Sequence, residues 1–443
     1  MTHSGLHTAV RAALKDLPPG PLGVAVSGGS DSTALLCLMA QCVAPDRHRL
    51  EAITIDHRLR EGSAAEAAAV ARLCAARGIP HTVRAWEEGP SGNLQGSARA
   101  ARQRLITAWA NDRGITTVAL GHTLDDQAET FLMRLARGSG VDGLSAMAPA
   151  TQLMGLNWLR PLLGQRRAAL RDWLTAQNIA WSEDPSNTDH RFDRVRARAA
   201  LQPLAALGIS SERLATTADA MARARRALET ATATLARSAV TPGPAGDATL
   251  DPAAFMAAPE EIRLRLLAGT LAWVGGAIWR PRLASLAAIE ADIAMGSLRG
   301  GMTLHGCVLR PHAGRIAIRR EPARVAAPIP AGTAPWDGRW QLVGPPPEPG
   351  LTLGALGRAG LDECPDWRAT GIPRETLITS PALWRGTRLV EAPFARGTDS
   401  VHFHRISMLT PPWEARYCVE SAPASLMLHR ETGPAAHGVS DPS

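Results

Sequence analysis

Over the first 140 residues, short apolar runs alternate with longer segments of helical apolar spacing. Residues 22–27 (LGVAVS), 50–56, 81–86 and 115–120 read as buried strands. Residues 31–42, 63–77, 97–111 and 125–136 repeat apolar positions every three or four residues and read as helices. Strands alternating with helices predict an α/β fold, a doubly wound parallel sheet with helices on both faces. Beyond residue 149 the pattern changes. Residues 166–176, 191–206, 211–236, 259–273 and 282–295 read as helices, the third capped by Ser210 or Ser211, with a linker at 242–246. After residue 300, extended pieces such as 302–309 and 315–319 are separated by Pro- and Gly-rich stretches at 326–335 and 344–350. This predicts a nucleotide-binding domain over 1–205, a helical domain over 206–300, a small β-rich or α+β domain over 301–425, and a small-residue, polar tail over 426–443 that is expected to be disordered.

Composition narrows the setting. Hydrophobic residues are 45% of the 443 and charged residues 20%, enough for more than one core. The longest apolar stretch, 266–279, contains glycines and is too short to span a bilayer. The N-terminus has no apolar h-region, so neither secretion nor a membrane partner is expected. Six cysteines lie far apart with no C-x-x-C pair, which disfavours a zinc ribbon or a dithiol redox pair and suits the reducing cytoplasm. Lys15 is the one lysine among 48 basic residues, and it is not in a G-x-x-x-x-G-K-S/T loop. Any phosphate grip therefore rests on arginine, backbone N–H groups or a metal. The net charge of +7 is uneven: residues 1–133 hold 13 basic and 13 acidic side chains, residues 134–230 hold 14 and nine. A local arginine excess suits an anionic partner such as RNA, although codon bias also favours arginine.

The chemistry-bearing residues cluster at strand ends. Ser27, Gly28, Gly29, Ser30, Asp31 and Ser32 leave the first strand and enter a helix. The glycines let successive N–H groups converge, and the helix end adds positive potential for a phosphate. Asp31 would repel a bare phosphate and makes sense as a ligand to a bridging divalent cation; otherwise it caps the helix. Asp56, His57 and Arg58 follow the second strand, and His122 through Thr130 (HTLDDQAET) follow the fourth. Asp126 and Glu129 are three apart and share a helix face, where they could compensate the helix dipole, hold a metal or hold an ammonium group. His122 is either a contact to nucleotide, a proton-transfer group or a hydrogen-bonded loop residue. Arg102 and Arg104 are two apart and cannot share a helix face, so one is a candidate grip on phosphate or nucleic acid and the other is expected to be solvated; Arg134 and Arg137, then Arg191, Arg194, Arg196 and Arg198, add further cationic groups.

The hexapeptide SGGSDS resembles the phosphate loop of the N-type ATP pyrophosphatases, also called the PP-loop superfamily. Together with DHRLR, ARQR, GHTLDDQAET, RLARGSGVDGL, RPLL and WSEDPSN, in that order over residues 20–200, it resembles the tRNA(Ile)-lysidine synthetase family. The resemblance implies ATP and Mg2+ as cofactors and free L-lysine and a CAU-anticodon tRNA(Ile) as substrates. The implied reaction adenylates C2 of the wobble cytidine and then exchanges AMP for the lysine ε-amine. It implies catalytic roles for Asp31, Asp126, Glu129 and His122 and nucleotide contacts from 27–32, Asp56 and His57. It also implies a metal on Asp31 and tRNA contacts from Arg102, Arg104, Arg134, Arg137, Arg194 and Arg196. A monomer or homodimer is expected. Thr123, Leu105 and Phe192-Asp193 depart from the family pattern. The competing readings are a tRNA thiolase, disfavoured because no cysteine falls at the proposed rim, an ammonia-using amidase-synthetase, and a non-enzymatic RNA-binding protein.

Overall fold

The computed structural model describes residues 4–58, 62–87, 94–183, 189, 191–277, 279–332, 335–343, 348–397 and 402–405. An N-terminal helix that the sequence reading passes over comes first, α1 (Ser4–Leu14), burying Leu6, Val10 and Leu14. The alternation then follows: β1 (Gly20–Ala25), α2 (Ser30–Cys42), β2 (His48–Asp56), α3 (Ser63–Ala75), β3 (His81–Ala85), α4 (Leu94–Asp112), β4 (Thr117–Leu120) and α5 (Leu124–Leu135). After α6 (Val141–Leu144), β5 (Ala150–Leu153) and β6 (Leu156–Leu159) form a hairpin that turns at Met154 and Gly155, both at positive φ (54° and 77°).

The sheet order is β3-β2-β1-β4-β6-β5. The first five strands in that order run parallel, and β5 adds one antiparallel edge strand to the parallel sheet expected. One face is covered by α1, α2, α3 and α7 (Arg167–Ala176) through Leu6, Leu35, Leu38, Val70 and Trp173. The other is covered by α4 through Ile106, Trp109 and Ala110. Burial on both faces explains why these strands read as unbroken apolar runs. Strand order reverses between β1 and β4, so the loops at their carboxyl ends flank a switch-point crevice, where such sheets bind ligands.

Next come α8 (Asp193–Ala206) and α9 (Ser211–Ala239), whose N-cap Ser210 accepts from the Arg213 N–H. At 29 residues α9 is roughly 43 Å long. It packs on α5 and α6 near its start and on α10 (Pro252–Met256) and α11 (Glu260–Gly275) further along. The segment read as a linker, 242–246, is instead the turn of a hairpin between β7 (Val240–Pro242) and β8 (Ala248–Leu250). The run 302–309, read as one strand, is two: β9 (Met302–Leu304) and β10 (Cys307–His312) meet at His305 and Gly306, both at positive φ. With β11 (Arg315–Arg320) they form an antiparallel sheet, β7-β8-β11-β10-β9. Its Cys307, Leu309 and Ile318 share one core with Leu266 and Leu271 of α11 and Ile289 of α12 (Leu283–Met295), so elements on both sides of residue 300 pack together.

The remaining described strands are β12 (Ile329–Pro330), β13 (Trp340–Val343), β14 (Thr352–Ala355), β15 (Pro381–Arg385), β16 (Arg388–Glu391) and β17 (His402–Arg405). They form a four-stranded sheet, β12-β14-β15-β16, and a β13–β17 pair. Arg405 stacks over Trp273 and Trp340 and ties this region to α11. Among the described residues no helix is long and apolar enough to cross a membrane. The 426–443 tail and residues 344–347 lie outside the described residues.

A candidate nucleotide and amine site at the switch point

The loop after β1 is shaped by its own short side chains. Gly28 sits at φ +90°, a left-handed conformation that favours glycine. Gly29 is the N-cap of α2, and no side chain caps this end. The Ser27 N–H and hydroxyl both meet Ser32 Oγ at 3.1 Å, and Ser32 Oγ donates to the Gly29 carbonyl at 3.2 Å. The chain at 181–183 lies over the loop, with the Ser182 N–H donating to the Gly28 carbonyl at 2.9 Å. Gly121, at the end of β4, runs so close to α2 that a Cβ there would stand 2.9 Å from the Ser32 backbone. The missing side chain lets the phosphate loop and the acidic helix α5 share one crevice.

The N-terminus of α5 is a capping box. The Thr123 hydroxyl accepts from the Asp126 N–H at 3.4 Å, while Asp126 Oδ2 accepts from the Thr123 N–H and hydroxyl at 2.8 Å each. This locks the Asp126 rotamer and leaves Oδ1 facing the crevice. Both Asp126 and Glu129 are buried. Burial of that kind demands cations. They come from a residue the sequence reading did not single out, Arg167, the first residue of α7. Its Nε donates to Asp31 Oδ2 at 2.7 Å, its Nη2 to Asp126 Oδ1 at 3.2 Å and its Nη1 to Glu129 Oε1 at 3.4 Å. Arg198 of α8 donates to the same Glu129 oxygen at 2.8 Å, and Arg194 stands 3.7 Å from Asp126. Asp125 faces away and instead anchors the start of α7, accepting from the Arg167 N–H at 2.7 Å and from Arg166.

The electrostatics differ along this row. Burial raises the Asp31 carboxyl above its usual range, against the pull of Arg167. For Asp126, burial pushes up, but Arg167, Arg194 and the Thr123 N–H together hold the carboxyl below its usual range. Burial, with Arg160, Arg194 and Arg102 nearby, takes His122 down to about 3 despite Asp126. His122 is therefore a neutral imidazole at physiological pH, a hydrogen-bonding group rather than an acid. Among the described residues its buried Nδ1 has no partner, nor do His57 Nδ1 and Glu129 Oε2. His122 Nδ1 and Glu129 Oε2, one on each side of the Asp126 turn, are unpartnered atoms that a ligand would complete.

The other sequence-derived residues divide. Asp56 accepts from the Arg58 N–H at 2.9 Å, and His57 packs edge-on to Trp86 at 6.0 Å; Leu59 and Arg60 lie outside the described residues. Arg102 and Arg104 are exposed on α4. Arg134 turns back to hold the Gly143 and Ala146 carbonyls at 2.8 Å each, a structural task. Arg137 and Arg196 both pair with Asp193 on the surface, away from the acid row. Cys37 and Cys74 are buried as packing residues, with burial pushing the Cys74 thiol up to about 11. Among the described residues no group of three or more His, Cys, Asp or Glu could hold a metal ion by itself. The donor set thus fits a magnesium held chiefly by phosphates with one protein carboxylate, Asp31, and does not fit an all-protein cage.

A glycine loop at the β1–β4 switch point, rimmed by carboxylates and arginine, lies in a domain that the PP-loop domain family (ATP_bind_3) matches over residues 3–205. The similarity reaches well beyond that domain. The tRNA(Ile)-lysidine synthase of Ruegeria pomeroyi is 49% identical over 388 residues, covering 87% of this chain and 91% of that protein. Those of Mesorhizobium japonicum and Methylobacterium nodulans are 41% and 40% identical, covering 76% and 70% of this chain and 75% and 94% of theirs. The chain belongs to the tRNA(Ile)-lysidine synthase family.

Proposed function

We propose that this protein uses ATP to ligate free L-lysine to C2 of the wobble cytidine of a CAU-anticodon tRNA(Ile), in the cytoplasm. The observation that carries the reading is the meeting of Asp31, from the phosphate loop, with Asp126 and Glu129, from the α5 start, on the single guanidinium of Arg167. Nucleotide and amine would be held side by side.

In this scheme the C2 oxygen of the cytidine attacks the α-phosphorus of ATP and pyrophosphate leaves. The lysine ε-amine then attacks C2, a proton leaves the nitrogen, and AMP departs with the former C2 oxygen. Residues 27–32 would cradle the phosphates with backbone N–H groups and hydroxyls. Asp31 would hold magnesium, which supplies positive charge against the departing pyrophosphate. Asp126 and Glu129 would bind the lysine ammonium and take the proton lost on attack, with Glu129 Oε2 the open acceptor. Neutral His122 would orient the cytidine or the nucleotide by hydrogen bonding. Arg102 and Arg104, exposed on α4, and Arg194 would meet RNA phosphates.

The test is labelled lysine with ATP, magnesium and a CAU-anticodon tRNA(Ile) transcript. Incorporation should need every component and release AMP and pyrophosphate. Asp126→Asn should abolish incorporation while ATP and tRNA still bind. Pyrophosphate release on another acceptor, without lysine incorporation, would refute the substrate assignment. The absence of any ATP cleavage would leave an RNA-binding protein.

A further inference from the structure

We propose that Trp279 is a stacking platform for an unpaired base of the RNA substrate; this rests on the tRNA reading above. Trp279 is 79% exposed, and among the described tryptophans it alone is exposed. An indole standing in water is an unfavourable resting place for the largest apolar side chain, so its surroundings decide what it is for.

Two contacts anchor Trp279 at and just after its own carbonyl. The Trp279 carbonyl accepts from His305 Nε2 at 2.7 Å. The next residue, Arg280, donates to Asp142 Oδ2 at 2.5 Å, and the buried Arg265 takes the other Asp142 oxygen at 2.8 Å. The segment before α12 is thus docked on α6, which belongs to the nucleotide-binding half of the molecule. The ring projects from a rigid base, as a preorganised platform requires.

The flanks are cationic. Arg282 is exposed, and among the described residues no acidic side chain pairs with it. The same α6 region is gripped by Arg134, through the Gly143 and Ala146 carbonyls, and by Arg225, through Ser145 Oγ at 3.1 Å. Arg134 lies on α5 five residues beyond Glu129, roughly 7–8 Å along the helix axis. Trp279 is therefore tied, through Arg280 and Asp142, to the same α6 region that Arg134 of the acidic helix α5 holds. A protein docking face needs a contiguous apolar patch, whereas what stands beside Trp279 in sequence is one exposed apolar residue, Leu283, and two arginines. An exposed aromatic face followed by the exposed Arg280 and Arg282 matches a polyanion with splayed bases, since every base offers a π-face to the indole and its phosphates can meet Arg282. The neighbourhood of the reacting cytidine supplies such bases, because an anticodon loop is single-stranded.

The experiment uses the full chain with a CAU anticodon stem-loop carrying 2-aminopurine, placed in turn at each purine position of its loop. Wild type should quench one position on binding, Trp279→Phe should retain that quench, and Trp279→Ala should lose it. In steady state Trp279→Ala should raise the KM for tRNA about tenfold, the size expected of one lost base–aromatic stack, with KM for ATP and lysine unchanged. Equal RNA affinity and equal quenching in Trp279→Ala would overturn the proposal, as would a loss of affinity for ATP in step with tRNA. If wild type neither binds the stem-loop nor incorporates lysine, the tRNA reading itself fails and the platform fails with it.

Discussion

Replacing Arg167 by glutamine isolates the charge balance of the crevice. Arg167 touches Asp31, Asp126 and Glu129, yet the three carboxylates depend on it unequally. Glu129 keeps Arg198 at 2.8 Å, and Asp126 keeps its two bonds from Thr123. Among the described residues Asp31 keeps only Ser30 Oγ, at 3.0 Å. Removing one member of a buried pair costs about 3–5 kcal/mol; with only one carboxylate stranded, and Arg167 itself 19% exposed, about 2–3 kcal/mol is expected here at pH 8. For a urea slope of about 2 kcal/mol/M that lowers the midpoint by roughly 1 M. The pH dependence carries a sign. Burial already raises the Asp31 carboxyl above its usual range, and losing Arg167 raises it further. The folded state then takes up a proton at a pH where the unfolded chain does not, so stability is regained as pH falls. The deficit relative to wild type, followed by urea titration from pH 8 to pH 5, should shrink. A deficit below about 0.5 kcal/mol, or one that widens in acid, would refute the reasoning.

Other expectations follow from single contacts. Gly121→Ala puts a methyl 2.9 Å from the Ser32 backbone, which cannot swing aside; a loss of about 1–3 kcal/mol is expected, with ATP affinity falling in the same variant by calorimetry. His122 sits at about 3 in the folded state against 6.5 for the free side chain, so the unfolded chain binds the extra proton between those values and stability falls as pH drops through 6.5. From pH 6.5 to 5 that amounts to about 2 kcal/mol, and His122→Asn should remove that share of the slope in a pH series of melts. Asp142→Asn weakens the bridge to Arg265 and Arg280; KM for tRNA should rise while ATP binding is unchanged, and unaltered tRNA kinetics would show the bridge to be incidental.

Much of the first domain was legible because its strands are buried on both faces and so read as unbroken apolar runs. The spacing of Asp126 and Glu129 likewise put both on one helix face, where both are buried. The hairpin at 150–159 was harder to see, because ATQL and LNWL are short and mixed in polarity; Gly155, at positive φ, was the available signal. Arg167 was hidden for a different reason. It lies 136 residues from Asp31, and nothing local distinguishes it from Arg166 beside it, which faces Asp125 and Glu212. Only the docking of α7 against α2 selects between them. Periodicity also says nothing about how deeply a loop histidine is buried, so the neutral state of His122 emerged only from the three-dimensional surroundings.

The acid row is assembled from Asp31, Asp126 and Glu129 by cations at 167, 194 and 198, so its two halves are made far apart in time as the chain is synthesised. A nascent chain that has released β1 to α5 already carries the carboxylates, but none of the guanidinium groups that balance them. The crevice completes itself only when α7 and α8 arrive. A product truncated before residue 167 would hold an uncompensated anionic pocket, poorly suited to ATP. On the function proposed above, the order of synthesis would withhold nucleotide binding until α7 and α8 are in place.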